Sequence, residues 1–363
     1  MTNPHPSQLS PPAVATIGIL GSGQLGRMIA IAACQLGLRA HIYAPDAAHS
    51  PAGDIAHDTT TAAYDDETAL RAFGEAVDVV TSEFENVPSR VLEILGEYGP
   101  VSPGTKALHT AQHRIREKTL ANDLGIGTPR FWHIRSINDL NAAMAELDGA
   151  GILKTCQLGY DGKGQARIAP GDDLTAAFAS LGSDDVILEE MIAFTAEISF
   201  LVARGIDGSI SHFPASMNDH SGGILARSIA PAAIDPDLIK TGQAACEMLA
   251  NAVDLFGVMA LESFVTDDGR LLFNEIAPRP HNSFHWTIEG CATSQFTQLA
   301  RTLASMEMGA TNAYGRWQMD NLLGEDMGKV PALIKTPGVH LHLYGKAEAK
   351  TGRKMGHTNR QIG

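Results

Sequence analysis

Short apolar runs alternate with amphipathic stretches over the first part of the chain. An apolar run that begins at Val14 ends in a glycine turn, and the pattern after it predicts a helix from about Gln24 to Leu36. Another apolar run, 40–43, follows this helix, and strand-like runs recur at 78–81 and near Val101. Because strands and helices alternate, this part of the chain predicts a doubly wound α/β domain with a parallel sheet.

A turn-rich break, Gly-Ile-Gly-Thr-Pro at 125–129, interrupts the pattern after a charged helix. Beyond it, strand-like runs dominate, which is typical of an α+β domain around an antiparallel sheet. The strands are predicted at 197–203, 258–265, 271–276 and 339–344, and helices near 237–255 and 293–306. The predicted divisions are a disordered tail at 1–13, the α/β domain at 14–112, a small central lid domain at 113–190 and the α+β domain at 191–363.

Composition narrows the class of protein. The chain has 363 residues, 44% of them apolar, and a formal net charge of −14. That charge argues against a nucleic-acid partner, which needs a basic face to displace counterions from phosphate. No uninterrupted run of about 18 apolar residues occurs, so we expect no membrane partner. The four cysteines include no C-x-x-C pair and fit a reducing, cytoplasmic location.

The glycine turn at 21–26 matches G-x-G-x-x-G, and Asp46 follows it at the spacing of a dinucleotide-binding motif. Glycines at these positions permit a tight turn and let an anion approach the N-terminus of the following helix. The pattern suits the pyrophosphate of a nicotinamide dinucleotide, and it suits a nucleotide monophosphate as well. Both interpretations stay open on this motif alone.

A second glycine-rich segment, Gly-Tyr-Asp-Gly-Lys-Gly-Gln at 159–165, follows Lys154 at the end of an apolar run. In such a loop, backbone N–H groups and an ammonium can surround phosphate oxygens, and the loop can move as a lid. The spacing of a Walker A loop is absent from this segment. A plain β-hairpin turn is the alternative interpretation.

The most informative segment consists of two strand-like runs around Asp268-Gly269. If that pair forms a two-residue hairpin turn, Asp267 faces Arg270 and Glu262 faces Glu275. Opposed Cβ atoms lie roughly 4.5 to 5.5 Å apart, and two carboxylates that close repel unless a cation lies between them. The sequence therefore predicts a site for Mg²⁺, with a solvated hairpin whose glutamates point outward as the alternative.

Polar residues accompany this predicted metal site in the sequence. Asn274 could add an oxygen ligand. Arg279 offers a planar fork suited to bicarbonate or a small carboxylate, and His281 is of the residue type that titrates near neutral pH. Farther on, Arg353 and Lys354 lie between glycines in a basic segment of this acidic chain. Such a pair suits a phosphate monoester, and a solvated basic tail is the alternative.

Several segments form a pattern when they are taken in order. They are GSGQLGRM (21–28), EFENVP (83–88), LKTCQLGYDGKGQ (153–165), the spacing of Glu189 and Glu197, HSGGIL (220–225), NEIAPRPHNS (274–283) and GRKMGH (352–357). Together they resemble the N5-carboxyaminoimidazole ribonucleotide synthetase family over nearly the whole chain. Two positions depart from the pattern: Cys156 stands where similar sequences often carry a basic residue, and Met217 where an acidic one is common.

The resemblance implies a three-domain ATP-grasp fold that binds ATP between the central and C-terminal domains, with Mg²⁺ on Glu262 and Glu275. Adenine would meet 189–192 and the ribose Glu197. The full set implied for ATP is Arg114, Lys154, Tyr160, Asp161, Gly162, Lys163, Gly164, Gln165, Glu189, Glu190, Met191, Ile192, Glu197, His220, Asn274 and Glu275. Arg279, His281 and Asn282 would surround bicarbonate as the catalytic group. The ribonucleotide would meet Gln24, Leu25, Tyr160, Asp161, Lys163, Ser283, Arg353 and Lys354.

The activity implied by the resemblance is carboxylation of 5-aminoimidazole ribonucleotide by bicarbonate, driven by ATP through carboxyphosphate, in purine biosynthesis. Lys154 and Arg114 would offset charge on the transferring phosphoryl group, and a closed lid would exclude water. A homodimer is also implied. The alternatives are another ATP-grasp ligase, such as the formate-dependent glycinamide ribonucleotide transformylase, a nicotinamide-dependent dehydrogenase, and a non-catalytic nucleotide-binding regulator.

Overall fold

The computed structural model describes residues 15–159 and 164–363. The predicted tail at 1–13 and the loop residues 160–163 lie outside this description. Within it, the chain forms a parallel sheet, then a small antiparallel sheet, then a large antiparallel sheet. This arrangement confirms the predicted fold class, α/β followed by α+β.

The N-terminal unit alternates strands and helices, as the apolar pattern predicts. Its strands are β1 (Thr16–Leu20), β2 (Arg39–Ala44), β3 (Asp58–Thr61) and β4 (Val79–Ser82), and its helices are α1 (Gln24–Gln35), α2 (Glu67–Ala76), α3 (Ser89–Gly96) and α4 (Thr105–Ala111). The strands pair in parallel in the order β3-β2-β1-β4. Val101, predicted to lie in a strand, forms an isolated parallel bridge with Val80.

The central unit is a small sheet covered by helices. It comprises α5 (Arg114–Asp123), β5 (Phe131–Ile134), α6 (Ile137–Leu147), β6 (Gly151–Thr155), β7 (Gln165–Ile168), α7 (Leu174–Ser180) and β8 (Val186–Glu190). The strands are antiparallel in the order β5-β8-β6-β7. We call this sheet the lid sheet.

The C-terminal unit is built on the large sheet. Its elements are β9 (Phe194–Arg204), β10 (Ile210–His212), β11 (Ser216–Ser221), β12 (Ile224–Ala230), α8 (Pro236–Ala252), β13 (Gly257–Thr266), β14 (Leu271–Ala277), α9 (Thr287–Gly290), α10 (Gln295–Leu303), β15 (Trp317–Leu323), α11 (Val330–Leu333), β16 (Val339–Leu343) and β17 (Lys354–Gln361). The strand order is β14-β13-β9-β11-β12-β15-β17-β16, with β10 beside β9. Among the described residues, no helix has the length and apolarity needed to cross a membrane.

The N-terminal and C-terminal units share one apolar core. Helix α1 packs against α10, and Ile29 and Leu299 belong to the same buried cluster. The Ser102 hydroxyl also donates a hydrogen bond to the carbonyl oxygen of Phe256 over 2.7 Å. The lid sheet buries a separate cluster that includes Leu153. The two larger units are therefore fixed to each other by burial of a common core, whereas the lid sheet packs mainly against its own helices.

The turn between β13 and β14 differs from the prediction. The N–H of Thr266 donates to the carbonyl oxygen of Arg270 over 2.9 Å, so three residues, 267–269, make the turn. Gly269 has φ of +79°, a left-handed conformation that glycine adopts without strain. The expectation of a two-residue turn with Asp267 facing Arg270 is therefore wrong.

Glu262 and Glu275 nevertheless lie directly opposite each other, as predicted. The register shifts between Glu262 and Ser263, and Asn274 is the extra residue on β14. A one-residue slip would turn a side chain to the other face of the sheet, so the irregularity at Asn274 compensates for the extra residue in the turn. The pairing is right, although the turn that was expected to produce it is not.

The basic segment near the C-terminus is a strand rather than a solvated tail. Lys354 begins β17, which lies between β15 and β16 in the large sheet, and the exposed Arg353 directly precedes it. Met355 and His357 are buried on it. The pairing with β15 and β16 anchors the segment, so the end of this basic run is held in a fixed position.

Gly242 lies at a close approach between α8 and the large sheet, because a Cβ placed there would be 2.0 Å from the ring of Phe200. We expect Gly242→Ala to lower the free energy of unfolding by about 1–3 kcal/mol, since overpacking outweighs the roughly 1 kcal/mol that alanine adds to helix propensity. Gly96→Ala in α3 is the control, since a Cβ there meets nothing within 4 Å. Urea unfolding measures both, and equal midpoints would contradict the packing argument.

Candidate active site

A cleft with a volume of about 640 Å³ receives residues from all three structural units. A cavity of this size suits a small-molecule ligand. It brings together most of the residues predicted to bind ATP, bicarbonate and the ribonucleotide. Those on its walls are Gln24, Leu25, Arg114, Lys154, Gly164, Gln165, Glu197, His220, Glu262, Asn274, Glu275, Arg279, His281, Asn282 and Lys354.

Glu262 and Glu275 face the cleft side by side from β13 and β14. Nη1 of Arg114 lies 3.0 Å from Oε2 of Glu275. Burial alone would raise the pKa of Glu275, but the Arg114 guanidinium lowers it below its usual value. Burial and the neighbouring charge of Glu275 raise the pKa of Glu262 to about 7. The pair therefore holds one carboxylate whose charge lacks a matching cation.

The donor atoms of this pair fit Mg²⁺. Two carboxylates and the side-chain amide of Asn274 offer hard oxygen ligands from one wall of the cleft. The raised pKa of Glu262 marks a shortage of positive charge there, which a divalent cation would supply. Nζ of Lys118 donates to the carbonyl oxygen of Asn274 over 2.9 Å and so holds the irregular residue in place.

Two lysines meet one buried carboxylate beneath the cleft wall. Nζ of Lys154 lies 2.8 Å from Oε2 of Glu189, and Nζ of Lys118 lies 3.4 Å from Oε1. Burial alone would raise the pKa of Glu189, but the two ammonium groups hold it at about 2. Glu189 is 3% exposed, so it positions Lys154 at the cleft from behind.

A polar pair and two aromatic rings share another part of the wall. Nδ1 of His220 lies 2.8 Å from Oε2 of Glu197. Burial opposes protonation of His220, but the carboxylate of Glu197 raises its pKa. The rings of Phe194 and Phe264 pack with their centroids 4.8 Å apart. Aromatic faces beside a carboxylate suit a nucleoside, whose base is flat and apolar and whose ribose carries hydroxyl donors.

Arg279 and Asn282 follow β14 and are held by residues distant in sequence. Nη2 of Arg279 lies 2.6 Å from Oε1 of Glu85. Burial opposes the charge of Arg279, and Glu85 raises its pKa. The side chain of Asn282 exchanges two hydrogen bonds with that of Asn321. Both predicted bicarbonate ligands are therefore fixed before any ligand enters.

His281 lies between the bicarbonate residues and the glutamate pair. Its Nε2 is 3.2 Å from Oε1 of Glu262, and its Nδ1 is 2.7 Å from Oγ of Ser283. Burial and the neighbouring charge of Arg279 hold the pKa of His281 well below its usual value. The imidazole is therefore neutral at neutral pH and orients Glu262 without adding charge.

The glycine turn before α1 accommodates a carboxylate of the chain itself. Glu83 accepts hydrogen bonds from the backbone N–H groups of Gly23 and Gly26. A Cβ on Gly21 would lie 2.5 Å from Cγ of Glu83, so glycine is needed there for this contact. Burial raises the pKa of Glu83. Because this carboxylate occupies the N-terminus of α1, the geometry counts against a dinucleotide pyrophosphate at the same place.

Some predicted residues lie away from the cleft walls. Glu190 pairs with Arg130, with Nε to Oε2 at 2.7 Å, and Met191 is 45% exposed just beyond β8. Arg353 donates to the carbonyl oxygen of Glu348 over 3.0 Å. Ile192 is partly buried and Ser283 lies behind His281. Tyr160, Asp161, Gly162 and Lys163 lie outside the described residues.

Several charged residues of the site were not predicted from sequence. Glu117 and Lys118 belong to a helix recognised only as charged, yet they are 2% and 0% exposed. Glu83 and Glu85 lie in the EFENVP segment, for which the sequence predicts no role. The sequence holds an indication of a role in each case. Glu117 and Lys118 form a charged pair on a helix that must pack against the rest of the protein, and Glu83 and Glu85 directly follow a buried strand.

Comparisons with known proteins agree with this geometry. Sequence models of three domain families match the chain: the ribonucleotide synthetase preATP-grasp domain at residues 14–112, the ATP-grasp domain at 119–296 and the phosphoribosylaminoimidazole carboxylase C-terminal domain at 318–360. The fold and the cleft therefore define the chain as an ATP-grasp enzyme.

Individual relatives identify the family, among ATP-grasp enzymes, to which the chain belongs. The N5-carboxyaminoimidazole ribonucleotide synthase of Brucella melitensis is 45% identical over 348 residues, which cover 95% of this chain and 96% of the relative. That of Bacillus subtilis is 39% identical, with coverage of 94% and 90%. The chain belongs to the N5-carboxyaminoimidazole ribonucleotide synthase family, which confirms the resemblance in the sequence.

Solved structures with bound ligands are also similar. The Staphylococcus aureus N5-carboxyaminoimidazole synthetase complexed with ADP matches with a TM-score of 0.91 and 34% identity, covering 96% of this chain and 93% of that one. The Aspergillus clavatus synthase in complex with ADP and 5-aminoimidazole ribonucleotide matches with a TM-score of 0.89 and 27% identity, covering 96% and 94%.

The buried carboxyl of Glu117 makes stability depend on pH. Burial and the charge of Glu275 raise its pKa from 4.5 to about 8, so its contribution to stability is full below 4.5 and is lost as the pH rises through 8. Glu117→Gln keeps an acceptor for the N–H of Ile276 and cannot ionise. We expect the stability of wild type relative to this variant to fall between pH 5 and 8.

Chemical unfolding at several pH values measures this dependence, with the exposed Glu75→Gln as the control. A difference between wild type and Glu117→Gln that stays constant with pH would contradict the raised pKa of Glu117.

Proposed function

We propose that this chain catalyses the ATP-dependent carboxylation of 5-aminoimidazole ribonucleotide by bicarbonate, which yields N5-carboxyaminoimidazole ribonucleotide, ADP and phosphate in purine biosynthesis. Family membership supports this activity. The observation that carries it is the convergence, in one cleft, of the Glu262–Glu275 pair with Lys154 and with the loop of Arg279. A homodimer in the cytoplasm, as the resemblance implies, is part of the same proposal.

The chemistry requires activation of bicarbonate, because its carbon is a poor electrophile. An oxygen of bicarbonate attacks the γ-phosphorus of ATP and ADP leaves, which gives carboxyphosphate. The amine of the ribonucleotide then attacks the carboxyphosphate carbon, phosphate leaves, and the nitrogen loses a proton. The second step must occur before water reaches the intermediate, so the site has to enclose it.

Charges on the cleft walls match the first step. Lys154 and Arg114 are already held in place by Glu189 and Glu275, so they can offset charge on phosphoryl oxygens without reorganising. When bound by the glutamate pair, Mg²⁺ supplies further positive charge at those oxygens. We assign the nucleoside to the wall formed by Phe194, Phe264 and Glu197.

We assign bicarbonate to the loop that follows β14. Arg279 presents a guanidinium fixed by Glu85, and Asn282 an amide fixed by Asn321. A planar donor fork suits a planar anion. His281 contacts Glu262 and lies between the bicarbonate residues and the glutamate pair. Because its pKa is lowered, it adds no buried positive charge to that of Arg279.

We assign the ribonucleotide phosphate to Lys354 and the turn at Gln24 and Leu25, which lie on the same cleft. Lys354 is the first residue of β17, so the large sheet fixes the position of its backbone. Glu83 accepts from the N–H groups of Gly23 and Gly26, so the phosphate would meet the intervening N–H groups of Gln24 and Leu25, where the helix dipole favours an anion.

The proposed activity is tested by phosphate release from Mg-ATP, with 5-aminoimidazole ribonucleotide and bicarbonate each omitted in turn. Release that depends on both supports the proposal. Release only with formate and glycinamide ribonucleotide would instead identify the transformylase, and release that needs no second substrate would overturn the assignment. The same preparation, examined by sedimentation, tests the dimer.

Glu275→Gln should reduce kcat by at least about 100-fold, because it removes one of the two carboxylates proposed to hold the metal and leaves Arg114 unpaired. Asp267→Asn removes a charge from the exposed turn of the same hairpin and is the matched control. Steady-state phosphate release measures both variants. Unchanged turnover in Glu275→Gln would remove the metal argument.

Lys354→Ala should raise KM for 5-aminoimidazole ribonucleotide by about 10- to 100-fold, the value of one hydrogen bond to a charged group, with a smaller change in kcat. Lys350→Ala is the control, since Lys350 lies in the same segment with its side chain 71% exposed. If only KM for ATP changed, Lys354 would contact the nucleotide, and its assignment to the ribonucleotide phosphate would be wrong.

A further inference from the structure

Four side chains of metal-binding types converge beside the cleft, which Cys156 also lines: His113, His133, Cys156 and Asp185. One ligand atom from each lies within 4.8 Å of the others. Nε2 of His113 is 3.0 Å from Oδ2 of Asp185, and Nε2 of His133 is 2.7 Å from Oδ1. The thiol of Cys156 hydrogen-bonds to the same carboxylate. None of the four has a part in the proposed carboxylation.

The main chain sets this convergence. His113 precedes α5, His133 lies in β5, Cys156 follows β6 and Asp185 precedes β8. The N–H of Arg114 donates to the carbonyl oxygen of Cys156, and the N–H of Cys156 donates to that of Asp185, each over 3.0 Å. Because backbone bonds join three of the segments, the four side chains are held near one another before any ion enters.

The donor set selects the kind of ion. Two imidazoles, a thiol and a carboxylate suit Zn²⁺, whereas Mg²⁺ prefers oxygen alone. With bonds of about 2.0–2.3 Å, ligand atoms of a tetrahedral Zn²⁺ site lie roughly 3.3–3.8 Å apart. The contacts of Asp185 with His133 and His113, 2.7 and 3.0 Å, are shorter than this, and all the ligand atoms lie within 4.8 Å of one another. Binding the ion therefore requires the side chains to shift by about 1 Å.

Burial also fits a structural site. Cys156 is 2% exposed, and the side chain of His113 is 13% exposed. Nδ1 of His113 is buried and has no hydrogen-bond partner among the described residues. His133 and Asp185 are more open, with side chains 27% and 35% exposed, so an ion can reach the cluster from their side.

We propose that His113, His133, Cys156 and Asp185 bind one Zn²⁺ ion, which fastens the lid sheet to the start of α5. Arg114 follows His113 directly, and Lys154 precedes Cys156 by two residues. The ion therefore holds together the two segments that carry the phosphate-facing cations. It is distinct from the magnesium on Glu262 and Glu275 and has a different donor set.

The test uses the full chain, stripped of metal with a chelator and then reconstituted. We expect one tightly bound Zn²⁺ per chain by elemental analysis, in the presence of excess Mg²⁺. Co²⁺ in place of Zn²⁺ should give the intense visible bands of a tetrahedral site and a thiolate-to-cobalt charge-transfer band. Zn²⁺ should also raise the melting temperature, because it binds only the folded chain.

Cys156→Ser should abolish the charge-transfer band. The Zn²⁺ affinity of Cys156→Ser should fall more than the roughly 10- to 100-fold that follows from losing a residue that hydrogen-bonds to a metal ligand. Cys34→Ser is the matched control, since Sγ of Cys34 also lies near a histidine, 3.9 Å from Nδ1 of His57. It should leave the stoichiometry and the spectrum unchanged.

His133→Ala and Asp185→Asn provide independent variants should Cys156→Ser fail to fold. Loss of Zn²⁺ binding in folded His133→Ala supports the site. The proposal is overturned if the wild type retains no stoichiometric Zn²⁺, or if the cobalt spectrum is the same in wild type and in the folded variants. Because these readouts do not involve turnover, they stand apart from the test of the carboxylase.

Discussion

Pairing of charges in the wall of the cleft is the constraint on which the rest of this structure depends. Taking an ion out of water costs several kcal/mol unless an opposite charge and hydrogen bonds replace the solvent. The carboxylates of Glu189 and Glu275 are matched by cations that come from α5 and β6. The buried Glu117 is in no ion pair among the described residues, and its pKa is raised. Glu189 is paired within the central unit, whereas Glu275 belongs to the large sheet and its partner Arg114 begins α5, so the charge of Glu275 is balanced only when the large sheet meets α5.

The same constraint explains the irregular hairpin. Glu275 must face Glu262 across β13 and β14, and a three-residue turn alone would shift the register by one. The extra residue, Asn274, restores the pairing, and its carbonyl oxygen accepts a hydrogen bond from the buried Lys118. The backbone irregularity at Asn274 is thus stabilised by Lys118, which also pairs with Glu189.

Features formed by contiguous residues could be predicted from the sequence. Contacts between residues that are distant in the chain could not. The glutamate pair, the loop with Arg279 and three strands of the first sheet (β1, β2 and β4) are encoded within short segments, where spacing and periodicity apply. The polar strand β3 was not predicted. Glu83 at the N-terminus of α1 is 60 residues from Gly23, and no local pattern connects them. The burial of Lys118 depends on β14, which follows more than 150 positions later.

The C-terminal segment illustrates a second limit. Its lysines and arginines suggest a surface, yet β17 lies inside the large sheet between β15 and β16. Five consecutive residues, 355–359, are buried on this strand, while Arg360 and Gln361 are exposed. The basic residues flank this buried stretch, so the composition of the segment does not predict that its centre pairs with β15 and β16 and is covered on both faces.

Charge balance also constrains how a ligand can bind. Lys154 and Arg114 are already paired with Glu189 and Glu275, so a triphosphate entering the cleft competes with carboxylates for cations that are not in excess. Binding of the anion alone would leave those carboxylates short of positive charge in a poorly solvated place. A divalent ion arriving with the nucleotide removes this deficit, and the raised pKa of Glu262 marks where that charge is needed. If the glutamate pair holds the proposed Mg²⁺, nucleotide binding would depend on the accompanying metal through electrostatics rather than through a change of shape.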